Sequence, residues 1–154
     1  DPSVCSDFYQ IITSNHVPVE KIRIEITESA IFEDLETVND NIRRLQENGI
    51  CLLLDDFGTG YSNFERLSSV NFHTIKFDKI VLYKAMENRK LDELMTSMVQ
   101  MLKKDDVNML VEGVETEEQS RYSIDRGFSY IQGFQYAKPG PIECLKDYFH
   151  SNEQ

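Results

Sequence analysis

Two adjacent carboxylates, Asp55 and Asp56, close the apolar run Ile50-Cys51-Leu52-Leu53-Leu54 and are followed at once by the glycine-broken turn Phe57-Gly58-Thr59-Gly60. The apolar run reads as a buried strand and the glycines as its exit loop. Side-by-side carboxylates at the end of a buried strand repel each other unless a cation or a proton neutralises them. A divalent metal would do so, and would bring hydrolytic chemistry with it. Comparable residues recur where other short apolar runs end: Glu25 and Glu28, Lys76 and Asp78, Glu112 and Glu115, and Gln132. One such residue at a strand end is weak evidence, because most are solvated or cap the next helix. Recurrence at successive strand ends is harder to dismiss. Lys76, between Ile75 and Phe77, points away from both neighbours; turned inward beside metal-bound carboxylates, it would hold and polarise a water.

The elements that must position these residues alternate along the chain. Val4, Phe8, Ile11 and Ile12 lie at helical spacing through about Ser14, and Ile22-Arg23-Ile24-Glu25-Ile26-Thr27 alternates strictly, with the isoleucines on one face. Glu25 sits in a strand apolar enough to predict an interior rather than an edge position. Leu35, Val38, Ile42 and Leu45 mark a helix that Gly49 stops. Strands follow at Ile50–Asp55, Thr74–Asp78, Asn108–Glu112 and Tyr130–Gly133. Leu91, Leu94, Met95, Met98, Met101 and Leu102 form a broad helical stripe whose methionines are expected in the core. Thr116 and Gln119 form a capping-box pattern for a helix closed by Gly127, and a last helix is expected from Pro141 to about His150. About five β units, each followed by helix or loop, predict an α/β fold with a mainly parallel sheet. A (β/α) barrel gathers its strand ends into one mouth. A full barrel needs about 250 residues and eight strands, so residues 1–154 are expected to form a partial TIM-like barrel of about five of eight β/α units. An open doubly wound sheet is the structural alternative.

Composition narrows the function classes. The chain has 154 residues, 40% hydrophobic and 28% charged, which is ordinary globular material. Its net charge of −11 argues against a nucleic-acid polymer or an anionic membrane surface as partner. No apolar run approaches the ~20 residues of a membrane span. The three cysteines, Cys5, Cys51 and Cys144, form no CxxC pair, which favours reduced thiols and a cytoplasmic setting. His16, His73 and His150 are not at zinc-ligand spacing. The charge run Glu36, Asp40, Arg43, Arg44 and Glu47 reads as a solvated helix face.

Taken together, Glu25-Ile26-Thr27-Glu28-Ser29, Asp55-Asp56-Phe57-Gly58-Thr59-Gly60-Tyr61-Ser62, Ile75-Lys76-Phe77-Asp78, Val111-Glu112-Gly113-Val114-Glu115, Gln132-Gly133-Phe134 and Ala137-Lys138-Pro139 resemble the successive signatures of the EAL domain family. These are bacterial cyclic-di-GMP phosphodiesterases, and the resemblance runs in order along almost the whole chain. It implies a TIM-barrel-like fold, two Mg²⁺ or Mn²⁺ ions, and opening of cyclic-di-GMP to linear pGpG in second-messenger signalling. By the same resemblance Glu25, Asp55, Asp56 and Glu112 are metal ligands, and Lys76 holds the attacking water. Glu115 and Gln132 support metal-bound water and substrate, and Glu28 anchors the Asp56–Ser62 loop.

The Glu-Ala-Leu tripeptide that names the family does not occur in this sequence, and neither does the strand bearing the family's asparagine ligand. His73 stands where the family usually has aspartate, a change expected to alter loop packing more than catalysis. The resemblance therefore implies the C-terminal part of a single EAL-type domain, inactive by itself, within a longer cytoplasmic or membrane-anchored chain that has room for sensory or GGDEF domains upstream. A catalytically inactive cyclic-di-GMP receptor or a protein-interaction domain is the alternative. Unpaired strand edges would favour a homodimer.

Overall fold

A computed structural model describes residues 4–33, 35–60 and 70–143. The expected final helix beyond 143, Cys144 and the loop residues from 61 onward lie outside the described residues, as do the side chains of Leu35 and Val38. Helix α1 (Val4–Ser14) leads into strand β1 (Arg23–Thr27), then helices α2 (Ala30–Glu33) and α3 (Leu35–Glu47). Strand β2 (Cys51–Phe57) and strand β3 (Thr74–Phe77) follow, then helices α4 (Lys79–Glu87) and α5 (Arg89–Lys104). Strand β4 (Asn108–Val111), helix α6 (Glu117–Arg126) and strand β5 (Tyr130–Ile131) complete the described chain.

The five strands form one parallel sheet in the order β1-β2-β3-β4-β5, as the alternation of elements predicts. Leu52, Leu54, Ile75, Phe77, Met109 and Val111 are almost fully buried, so the three middle strands are apolar because little of their surface meets water. Phe77 packs edge-on against Phe57 at 5.1 Å and against Phe128 at 5.2 Å between ring centroids. This aromatic row runs under the ends of β2 and β3, and such edge-to-face pairs add to the burial they accompany.

Several boundaries and faces depart from the sequence expectation. Strand β1 is an edge strand among the described residues, paired with β2 alone, so Glu25 is not sealed between two neighbours. On α1, Ile12 is buried while Ile11 faces outward, because a helix of this length offers only one face to α3. Met95, Val99 and Leu102 form the buried face of α5; Met98 is half-buried, and Leu94 and Met101 are exposed, so the stripe is wider than the core it covers. Helix α4 is absent from the sequence expectation, although Asp78 supplies its cap by accepting a 2.7 Å hydrogen bond from the Ile80 amide. The capping box of α6 is present in full, and Gly127 ends that helix at a φ of 85°.

Helices α5 and α6 are fastened by one polar cluster. Asp92 accepts from Arg126 Nε and Nη2, each at 2.9 Å, and from the Tyr122 hydroxyl at 2.5 Å, while the guanidinium lies 4.0 Å from the Tyr122 ring centroid. The hydrogen bonds from Arg126 and then Tyr122 bring the Asp92 carboxyl down to about 2. Burial first, then the neighbouring carboxylate, raises the Tyr122 phenol. A carboxyl depressed on folding stabilises fully above its unfolded value and loses that contribution as pH falls through the folded one. Asp92→Asn is therefore expected to lower Tm at pH 7 by about 2–6 °C. In thermal melts across pH, the gap from the native protein should shrink as pH falls from about 4 toward about 2. A gap that stays constant over that range would contradict the assignment.

Candidate active site

Parallel pairing sets the ends of β1 to β4 one strand apart, and an irregularity in β2 makes the site. Leu54 pairs with Ile75 and Phe57 with Phe77, so Asp55 and Asp56 together stand opposite the single residue Lys76. This is a β-bulge, two residues against one. In a regular strand adjacent side chains leave on opposite faces. Asp56 instead takes a φ of 56°, the left-handed region that Asp tolerates better than most residues. The bulge lets both carboxylates of the pair serve one site.

Asp55, Asp56 and Glu112 each offer a carboxylate oxygen, and these oxygens lie within 4.8 Å of one another. Hard oxygen donors so grouped suit a divalent cation of the magnesium, manganese or calcium type. Glu112 follows β4 directly, and its amide donates to the Phe77 carbonyl at 3.0 Å. Lys76 comes up from β3 into the same group. Its Nζ lies 2.9 Å from Asp55 Oδ1, 2.9 Å from Glu112 Oε1 and 3.0 Å from Glu25 Oε1. The Lys76 side chain is 8% exposed, so it is neither the surface lysine nor the edge-strand lysine that its flanking sequence allows. Burial pulls its ammonium down, but hydrogen bonds to Asp55, Glu112 and Glu25 outweigh that and hold it well above its ordinary value. Three carboxylates thus engage one ammonium, and Asp56 stands beside two of them.

Glu25 reaches this group through Lys76, with half of its own side chain exposed. Glu28, on the turn after β1, is buried; its amide donates to the Asp55 carbonyl at 3.0 Å, and its Oε2 accepts from the Gly58 amide at 3.0 Å. Its Oε1 is buried with no hydrogen-bond partner among the described residues. The sequence-predicted supporting pair is solvent-exposed. Glu115 is exposed, with its amide bonded to Gln119 Oε1 at 2.7 Å, and the Gln132 side chain is also exposed. Asp78 serves α4 as a cap.

The exit loops of β2 and β4 both rest on α4. Gly58 has a φ of 92°, and a Cβ there would lie 2.4 Å from Val81 Cγ2; Gly113 has a φ of 65°, and a Cβ there would lie 2.5 Å from Lys79 Cβ. The Tyr83 hydroxyl donates to the Gly113 carbonyl at 3.0 Å. Sequence patterning singles out none of Val81, Tyr83 and Lys79 as site-supporting. The only signal is a possible cap at Asp78 followed by Leu82 and Ala85 at helical spacing.

A sequence model of the EAL domain family matches residues 1–139. The chain belongs to that family. Over 138 residues, 90% of the chain, it is 33% identical to the cyclic di-GMP phosphodiesterase RocR of Pseudomonas aeruginosa, of which it spans 35%. It is 29% identical to an uncharacterized signaling protein of Caulobacter vibrioides and spans 18% of it. Among solved structures, the EAL domain of Mycobacterium smegmatis DcpA superposes with a TM-score of 0.84 at 26% identity, covering 97% of this chain and 67% of that one. The sheet is thus part of a TIM-barrel-like EAL fold rather than an open doubly wound one.

Gly58→Ala is expected to strain the loop that carries Asp56 twice over, through its φ and through the contact with Val81. The variant should melt several degrees lower, and adding Val81→Ala should restore part of the loss, since it relieves the contact but not the backbone. Melting curves of the native protein, both single variants and the double variant check this; additive losses in the double variant would show that the two residues do not press on each other.

Proposed function

We propose that this segment supplies the carboxylate-and-lysine part of a cyclic-di-GMP phosphodiesterase site that opens the cyclic dinucleotide to linear pGpG. The observation that supports it most directly is the convergence of Glu25, Asp55, Glu112 and Lys76 from four strands, with Asp56 added by the bulge. A relative sharing a third of its residues is a cyclic di-GMP phosphodiesterase. The chain spans only part of such relatives, so the proposal assigns it a share of the site and leaves further ligands to the rest of the domain.

In this reading Asp55, Asp56, Glu112 and Glu25 hold two divalent ions, Mg²⁺ or Mn²⁺. Bound ions would supply charge for the phosphate and a water acidic enough to act as nucleophile at neutral pH. The chain's own residues do the orienting. Lys76, fixed on three sides, presents a positive charge beside the water and the phosphate oxygens. Glu28 anchors the exit loop of β2 through the Gly58 amide and so fixes where Asp55 and Asp56 stand. Glu115 and Gln132, exposed at the ends of their strands, face substrate and solvent. Bound cations would reverse the sign of the field locally and let an acidic chain accept an anionic dinucleotide. Cys5 and Cys51 are free thiols, in keeping with a cytoplasmic setting.

In the full-length protein carrying this segment, Lys76→Ala should lower pGpG formation at least ~100-fold, the usual scale for a positioned acid–base or electrostatic group, while cyclic-di-GMP binding persists. Chromatographic detection of pGpG beside a binding titration checks both. Unchanged turnover in the variant removes Lys76 from the mechanism. Binding without turnover in the native protein would make it a receptor instead.

A further inference from the structure

All three N–H donors of an ammonium are available for hydrogen bonds, and Lys76 directs its charge at three carboxylates from three different strands. Two of those carboxylates, Asp55 and Glu112, belong to the group whose oxygens could grip a divalent ion. Asp55 Oδ1 is in demand already, since it also accepts from the Asp56 amide at 3.1 Å. The lysine cannot withdraw far. Its strand is buried throughout, with Leu110 and the β2 bulge on either side, and its stem is covered. A cation entering the group must share Asp55 and Glu112 with a fixed positive charge, or displace it from them.

We infer that Lys76 is a tethered internal cation that competes with divalent metal for Asp55 and Glu112. It sets the metal affinity of the site and keeps the acidic strand ends together when metal is scarce. This rests on the proposed function only in requiring that these carboxylates bind a divalent ion. It separates two roles for the lysine that predict opposite signs. A lysine that merely organised the carboxylates would, on removal, leave them splayed and metal binding weaker. A competing lysine, on removal, leaves four carboxylates with no cation of their own and metal binding tighter.

The test compares the full-length protein carrying this segment with its Lys76→Met variant, which keeps the length of the side chain and removes its charge. Isothermal titration with Mg²⁺ is expected to give a dissociation constant at least tenfold lower for the variant. The variant should melt below the native protein in EDTA and gain more in Tm from saturating Mg²⁺. Equal or weaker Mg²⁺ binding by the variant overturns the inference, as does failure of both proteins to bind Mg²⁺. Should the variant not fold in EDTA, the native full-length protein decides alone. The Lys76 ¹⁵Nζ resonance should shift in step with Mg²⁺ binding measured by calorimetry, and a resonance indifferent to Mg²⁺ refutes competition. A native protein that binds Mg²⁺ in competition with Lys76 but yields no pGpG in the full-length chain would sink the phosphodiesterase proposal and leave this inference standing.

Discussion

Like charges packed at the ends of neighbouring parallel strands repel, and this sheet brings three of them onto one ammonium. Strands in such a sheet lie about 5 Å apart, so carboxylates at matching heights on β1, β2 and β4 meet over β3. Moving an ion out of water costs several kcal/mol even after the surroundings relax. Lys76 offsets that cost for itself by engaging Glu25, Asp55 and Glu112 together. It does not balance the group, because one positive charge meets three carboxylates and Asp56 adds a fourth beside Asp55 and Glu112. The remaining negative potential suits a divalent cation.

The rest of the described structure holds that repulsive group in place. Beneath it, Phe57, Phe77 and Phe128 lock the ends of β2 and β3 to the helical layer. Beside it, α4 presses on the exit loops of β2 and β4 at Gly58 and Gly113, while Tyr83 bonds the Gly113 carbonyl. Glu28 ties the β2 loop from the opposite side. Loops that leave glycine at positive φ against a helix wall have little freedom to relax, which limits how far the strand ends can move apart. Apolar packing below and tight turns at the rim keep the charge concentrated at the strand ends.

This division of labour fits a barrel-type domain, where strand interiors carry stability and strand ends carry chemistry. The EAL family relationship accounts for the fold and for the residue types at each strand end. It does not by itself supply the chemistry, which depends on the geometry at those ends. Glu25 on β1 reaches Lys76 while keeping half its side chain in solvent.

Much of the architecture was legible in residue patterns. Alternation in Arg23–Thr27, the apolar run before Asp55, and the cap residues Thr116, Gln119 and Gly127 mark their elements because local sterics and local hydrogen bonds decide them. The carboxylates and Lys76 were legible as candidates for a similar reason, since charged residues beside buried strands demand partners. Helix α4 was not singled out; its first turn matters chiefly through contacts with Gly58 and Gly113, which lie far away in sequence. Nor could sequence place β1 at an edge, because edge or interior depends on which strands pair. Sequence named both Asp55 and Asp56 for one metal site, but it could not show how they reach it, since strand alternation sends neighbours to opposite faces. Only the tertiary pairing of β2 with β3 decided that, by setting two residues against one and turning Asp56 into the left-handed region.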